Sequence, residues 1–399
     1  SPIIKMLLIK SLSLLLAVLP SCYSFSANVR TTSWYPNSVP AAAAAGTSST
    51  LTQLAQLMPI NIDSCDLDAV AKFASSGAIQ DATTCPFYVA QAATNGDDRY
   101  QDLIFDATQY TKRNLGGGEI DLADPDLLLN MAMDKLAVNL GAKLLELIPG
   151  SVHTEVDIRQ SYNTQESIAR AKRLVQMYKE MGIDKDRVVI KLAGTWEGIQ
   201  AARALEKEGI RTNITLVFSF LQVAAAAQAG CFTVSPFPGR ILDWCKTKSG
   251  RSSYIPAADP GVLSTKRMYA YLKKYGYDTI CMPASFRSST GGGGTNGANG
   301  VSMDPVAELD QVLALVGVDQ MTLPVRLLEI LSTTNVPVTM QVDAKEEAAV
   351  CCDPDFTLTK ETWDLYIPSD PCVMDKFEEG LRMFKSDTEK IRSIFMDQW

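Results

Sequence analysis

Along this chain, short runs of apolar and β-branched residues alternate with longer stretches in which apolar positions recur every three to four residues. The first pattern marks strands buried on both faces; the second marks helices with one face against a core. Eight runs read as strands: 58–63, 79–84, 152–156, 188–193, 212–218, 231–236, 279–284 and 320–323. Between them, Ile168, Ala171, Leu174, Val175, Tyr178 and Met181 keep helical spacing over 165–181, and Gly182 follows as a stop. Helical stretches over 196–208 and 221–229 likewise run into Gly209 and Gly230, each just before the next strand. The alternation predicts an α/β fold, a single (β/α)8 TIM-type barrel over 51–399. An open, doubly wound sheet is the alternative that this pattern does not separate from it.

Two segments exceed the repeat. Residues 85–150 carry more helix than one crossover needs, with an amphipathic stretch over 134–148. Residues 288–306 include a glycine run in which Gly292, Gly294 and Gly297 stand at G-x-G-x-x-G spacing. No helix opens directly after it, so it reads as a flexible inserted loop beyond a strand end, not a dinucleotide fingerprint.

Residues 1–50 stand outside the barrel pattern. Lys5 and Lys10 precede an apolar run over 11–19, too short to span a membrane, and small polar residues follow. Residues 1–30 therefore read as a signal or targeting peptide. Residues 31–50, with Pro36, Pro40 and the alanine run 41–45, read as a disordered linker or transit extension.

Charge and rare residues narrow the chemistry. A net charge of −8 and a pI near 5.0 leave no basic footprint for nucleic acid, so an anionic substrate must be held by a few placed cations. With His153 as the single histidine, a His-rich metal site cannot be built, and Ser-His or Cys-His catalysis would rest on that one residue. The nine cysteines contain no C-x-x-C pair, so neither a zinc site nor a disulfide scaffold is expected, and most read as small buried apolar residues. No metal and no cofactor are expected.

In a barrel, catalytic groups sit at the C-terminal ends of the strands. Those ends carry Asp63, Thr83, Glu155, Lys191, Asn213 with Thr215, Ser235, and Ser285 with Arg287; Arg240 lies just past the sixth strand. Each has a plain structural reading: Lys191 reaching out to solvent, Asp63 capping a helix near Leu67, Glu155 and Asp157 pairing with Arg159, Arg240 bridging to Asp243. Asn213-Ile-Thr215 matches a glycosylation sequon, but within a buried strand it would be inaccessible. Together the set reads differently. A lysine whose pKa is lowered by desolvation can form an imine, carboxylates can move protons, and arginines can hold phosphate.

From about Leu51 to the C-terminus the chain resembles the transaldolase family. The resemblance rests on Asp134-Lys-Leu-Ala-Val-Asn139, Thr154-Glu-Val-Asp157, Ile190-Lys-Leu-Ala193, Thr195-Trp-Glu-Gly198, Asn213-Ile-Thr-Leu216, Ser235-Pro-Phe237, Gly239-Arg-Ile-Leu-Asp-Trp244 and Ala284-Ser-Phe-Arg287. It implies a metal-independent class I enzyme that moves a dihydroxyacetone unit from sedoheptulose 7-phosphate to glyceraldehyde 3-phosphate, in the non-oxidative pentose phosphate pathway. Carried over, Lys191 attacks the ketose carbonyl, Glu155 shuttles protons through a water, and Asp63 takes the proton of the hydroxyl beside the breaking C–C bond. Asn213, Thr215 and Ser235 would orient the fragment, Thr83 and Phe237 would line the pocket, and Arg240, Ser285 and Arg287 would bind phosphate. Family members are often homodimers.

The chain departs from that pattern at Cys85, where the family usually has asparagine, at Gly194, where it usually has serine, and in the insertion after Arg287. The alternative reading is a transaldolase-like barrel of altered activity, acting as a fructose 6-phosphate-type aldolase or as a sugar-phosphate binder. The leader points to the secretory route and to a complex plastid; a cytoplasmic protein is the alternative if the leader is not functional.

Overall fold

The computed structural model describes residues 48–115, 125–291 and 305–396. Residues 49–351 with 356–399 form one unit and residues 1–48 with 352–355 another; the barrel lies wholly within the first. The expected leader and the glycine run 292–300 lie outside the described residues.

The described residues hold eight parallel strands: β1 (Ile60–Asp63), β2 (Ile79–Thr83), β3 (Val152–Glu155), β4 (Val188–Ala193), β5 (Thr212–Val217), β6 (Thr233–Pro236), β7 (Ile280–Cys281) and β8 (Met321–Pro324). Each pairs with its neighbour in sequence, and β1 also pairs with β8. The ring closes between β7 and β8, where the Gln320 and Thr322 amides donate to Cys281 O at 3.3 Å and Pro283 O at 3.2 Å. The open-sheet alternative is thereby excluded, and the (β/α)8 barrel stands.

Burial on both faces explains the apolar runs: β4 and β5 are buried at every position. Alternation still separates their faces. On β3, the Thr154 hydroxyl meets Tyr178 Oη at 2.6 Å on the surrounding helix Thr164–Glu180, leaving His153 and Glu155 to face inward. Register then aligns Glu155 with Lys191, Lys191 with Asn213, and Asn213 with Thr233. A polar layer inside the barrel follows from pairing alone.

Several boundaries shift for identifiable reasons. The strand expected over 58–63 begins at Ile60, because Met58 caps the helix Thr50–Leu57 and Pro59 has no N–H to donate. The seventh strand shrinks to two residues, yet the amides of Met282 and Ala284 still donate to Val234 O and Pro236 O, both at 2.9 Å. Pro283 between them is what interrupts the regular ladder.

Glycines 182, 209 and 230 end their helices with φ of 75°, 72° and 77°, as the stop signals predict. The expected surplus of helix after β2 is present as Pro86–Ala93, Asp98–Leu115 and Pro125–Leu145, the last far longer than its amphipathic stretch suggested. The final helix, Pro371–Met396, packs against the helices that follow β2 and β6 and against β5, crossing the rim where the strands end. Among the described residues, no helix is long and apolar enough to cross a membrane.

Candidate active site

Lys191 occupies the fourth of six positions of β4, with only 6% of its surface exposed. Its Nζ donates to the carbonyl of Thr84 at 2.9 Å and lies 3.2 Å from Glu155 Oε2. The solvent-reaching alternative therefore fails, and the amine stays inside the barrel. Burial alone would push its pKa down, but the Glu155 carboxylate, aided by Asp63, outweighs that and holds it above its ordinary value. The expected desolvated, lowered amine is thus corrected: the resting group is an ammonium, and a neighbouring base must take a proton before it can attack a carbonyl.

Glu155 is placed for that exchange. Burial raises its carboxyl to about 6, against the lowering pull of Lys191. Apart from that ion pair, neither carboxylate oxygen has a hydrogen-bond partner among the described residues. A small pocket of about 50 Å³ opens beside it, lined also by Cys85, Val89, Met133, Asp134, Asp157 and Arg170. The charged groups on that lining, Asp134, Asp157 and Arg170, give a water there polar partners beside the carboxylate. Asp157 does pair with Arg159, as the plain reading had it, at 2.5 Å. It also pairs at 3.0 Å with the fully buried Arg170, whose other side holds Asp134 at 2.7 Å. This ion network anchors the chain where it leaves β3, and it accounts for the acid of the Asp134 motif.

Asp63 caps nothing; Asp66 does, accepting from the amides of Asp68 and Ala69. Asp63 Oδ1 instead accepts from the Thr83 hydroxyl at 2.7 Å, which also meets the Thr322 hydroxyl at 2.7 Å. Burial raises the Asp63 pKa while Lys191 and Thr83 pull it down. The two carboxylates thus flank one cation in different settings, a pattern that assigns different proton-transfer tasks.

On the next strands, the Asn213 amide donates to His153 Nδ1 at 3.0 Å, and its oxygen accepts from Ser235 Oγ at 2.9 Å. His153 is thereby a brace for Asn213. Burial pushes its pKa down to about 3, which leaves it a poor base and removes histidine catalysis from consideration. Thr215 Oγ1 is buried with no partner among the described residues, a donor held ready for a ligand. Asn213 and Thr215 are fully buried, so the sequon is inaccessible.

The arginines lie toward the rim of β6 and β7. Arg287 pairs with Asp243 at 3.3 Å, taking the partner expected for Arg240. Arg240 sits 5.5 Å over the Phe237 ring, with Nη1 buried and without a hydrogen-bond partner among the described residues. Ser285 turns the chain between them with a left-handed φ of 60°.

The two substituted positions resolve differently. Cys85 is buried beside Lys191, Asp63 and Glu155, and burial pushes its thiol up to about 12, so it stays neutral. It occupies the N-cap of Pro86–Ala93 without a side-chain cap bond. Gly194 is matched to Gln222: a methyl group there would stand 2.7 Å from Gln222 Nε2. That nitrogen donates to the carbonyls of Gly194 at 2.8 Å and Leu216 at 3.0 Å.

Sequence reasoning missed Thr322, Gln222 and Tyr88, whose half-buried phenol faces the fields of both Asp63 and Arg287. Only the barrel's closure, which sets β8 beside β1, could have revealed Thr322.

A barrel whose interior holds a lysine paired with one carboxylate and approached by a second has the parts of an imine-forming carbon–carbon lyase or transferase. A family model described as Transaldolase/Fructose-6-phosphate aldolase matches residues 60–291. A transaldolase of Alteromonas mediterranea is 39% identical over 351 residues, covering 88% of this chain and 99% of that protein. Transaldolase 1 of Pectobacterium atrosepticum is 40% identical over 344 residues, 86% of this chain and 98% of that protein. The transaldolase of Histophilus somni is 37% identical over 349 residues. The chain belongs to the transaldolase family, and so to the transferases.

Proposed function

We propose that this transaldolase transfers a dihydroxyacetone unit from sedoheptulose 7-phosphate to glyceraldehyde 3-phosphate through an imine on Lys191. The observation that carries the reading is the 3.2 Å pair of Lys191 Nζ and Glu155, with Asp63 contributing its charge to the same amine.

Entry of the ketose lets the ammonium pass a proton toward Glu155, and the neutral amine adds to C2 of the sugar. Glu155, through a water, then protonates the departing C2 hydroxyl, which leaves as water and yields the iminium. Asp63 takes the proton of the C4 hydroxyl; the C3–C4 electron pair moves into the iminium, releasing the aldose and leaving an enamine. Addition to the acceptor aldehyde reverses these moves, with Asp63 returning the proton. Water attacks the new iminium, the ketose product leaves, and Lys191 is restored. Asn213, Thr215 and Ser235 orient the three-carbon fragment, Thr83 and Phe237 line its pocket, and Arg240, Ser285 and Arg287 hold the phosphate. Cys85 offers only a weak hydrogen bond at the place it occupies.

The test is a transfer assay on the purified chain with fructose 6-phosphate as donor. Product that forms only with erythrose 4-phosphate supports a transferase. Free dihydroxyacetone formed without acceptor means a fructose 6-phosphate-type aldolase, and no product from either means a sugar-phosphate binder. Residues 1–50 we infer to direct the chain through the secretory route to a complex plastid, on the charge and apolar pattern of 1–19. A fluorescent fusion of that segment that remains in the cytosol or the secretory pathway contradicts it.

A further inference from the structure

Gly380 is buried in the interior of the final helix, where glycine is a poorer helix former than alanine. A packing reason is visible. A methyl group at that position would stand 2.8 Å from Leu216 Cδ2 and 3.2 Å from Arg240 Nη1. The helix backbone therefore approaches the end of β5 and the Arg240 guanidinium so closely that any side chain there would require Leu216 or Arg240 to shift.

Both neighbours are buried, which limits how far either side chain can move. Leu216 holds a left-handed φ of 57°, and its carbonyl is tied to Gln222 Nε2 at 3.0 Å. The Arg240 guanidinium lies over the Phe237 ring on one side and has Met383 Sδ 3.8 Å from Nη2 on the other. Its Nη1 is the buried donor without a partner. Of the two carboxylates whose charge reaches Arg240, Glu379 is paired with Lys376 at 2.7 Å and Asp243 with Arg287 at 3.3 Å. Two guanidiniums facing one rim, one of them with an unspent donor, call for an anion.

We propose that Gly380 is a positioning residue for the substrate's phosphate: its missing side chain lets the final helix clamp Arg240 against Phe237 with Nη1 free to donate to a phosphate monoester. This rests on the assignment of Arg240 and Arg287 to the phosphate end. The helix is then a wall of the anion site, and donor phosphorylation is read by a residue far from the barrel in sequence.

The test compares two donors that form the same imine on Lys191: fructose 6-phosphate, and dihydroxyacetone, which has no phosphate. Gly380→Ala is expected to raise the half-saturating concentration for borohydride trapping with fructose 6-phosphate about tenfold or more, while that for dihydroxyacetone stays within about twofold of the parent. Inhibition of trapping by inorganic phosphate should weaken in parallel. Equal loss with both donors, or loss with neither, overturns the proposal.

Should Gly380→Ala fold poorly, pairing it with Leu216→Ala, which avoids a β-branched side chain at that left-handed position, removes the Leu216 clash while keeping the one with Arg240. The same selective loss is then expected, and full recovery of fructose 6-phosphate binding overturns the role of Arg240. A parent protein that shows no advantage for the phosphorylated donor contradicts the phosphate-end assignment itself, whatever Gly380→Ala does.

Discussion

The proposed imine end and the proposed phosphate end of this site are built in different ways. At the imine end, Lys191, Glu155 and Asn213 come from successive strands and meet because parallel pairing aligns them. At the phosphate end, Arg240 is shaped by Phe237 from the same turn, but also by Gly380 and Met383 from a helix more than a hundred residues away. Ladder geometry fixes the first almost rigidly. The second depends on how a separate helix docks, so substitutions there should alter substrate preference before they alter chemistry.

That contrast orders the expected effects. Lys191→Ala removes the proposed nucleophile, and kcat should fall on the order of 10⁴-fold or more with the fold intact by circular dichroism. Residual turnover near the parent's would place the chemistry elsewhere.

Glu155→Gln should cost about 10²–10⁴-fold, as loss of a general acid–base does. The pH profile sharpens this further. Burial raises Glu155 to about 6, so kcat/KM should fall as pH drops below about 6 while the carboxylate is protonated. That acid limb should vanish in Glu155→Gln.

Cys85 is buried beside Lys191, Asp63 and Glu155 at the proposed imine end. Cys85→Asn restores a hydrogen-bonding side chain, worth about 1–3 kcal/mol or one to two decades in kcat/KM. It also supplies a helix cap worth about 1 kcal/mol, so the melting temperature should rise as well. A drop in both would mean that the thiol is matched to its surroundings.

Gly194→Ser should act in the opposite sense. Displacing Gln222 breaks its bonds to Gly194 and Leu216 at a cost of about 1–3 kcal/mol, read as a lower urea midpoint.

Stability should also carry a pH signature from the imine end. His153 is held neutral with its pKa depressed from 6.5 to about 3. Its contribution is therefore fully present above pH 6.5 and is lost as pH falls toward 3. Replacing it with glutamine should flatten the acid arm of a stability curve over that window.

The sequence carried the strand half of this architecture well. Apolar runs placed Lys191 on β4 and Glu155 on β3, and glycine stops at 182, 209 and 230 marked where helices hand over to strands. What it did not carry was distance. The direction of the Lys191 shift depends on Glu155, 36 positions earlier, and the pattern of one strand says nothing about charge on its neighbour. Nearness in sequence pairs Asp243 with Arg240, whereas the fold gives it to Arg287. Thr322 became visible only when β8 closed on β1, and Gly380 only when the final helix was laid across β5.

The central claim is that Lys191 forms the covalent intermediate. Full-length protein would be incubated with fructose 6-phosphate, reduced with borohydride, and examined by intact-mass and peptide mass spectrometry beside Lys191→Ala. The account predicts one added three-carbon dihydroxyacetone-sized unit per chain, located on Lys191 and absent from the variant. An unmodified lysine in protein that still turns over, or an adduct that persists in Lys191→Ala, would contradict it.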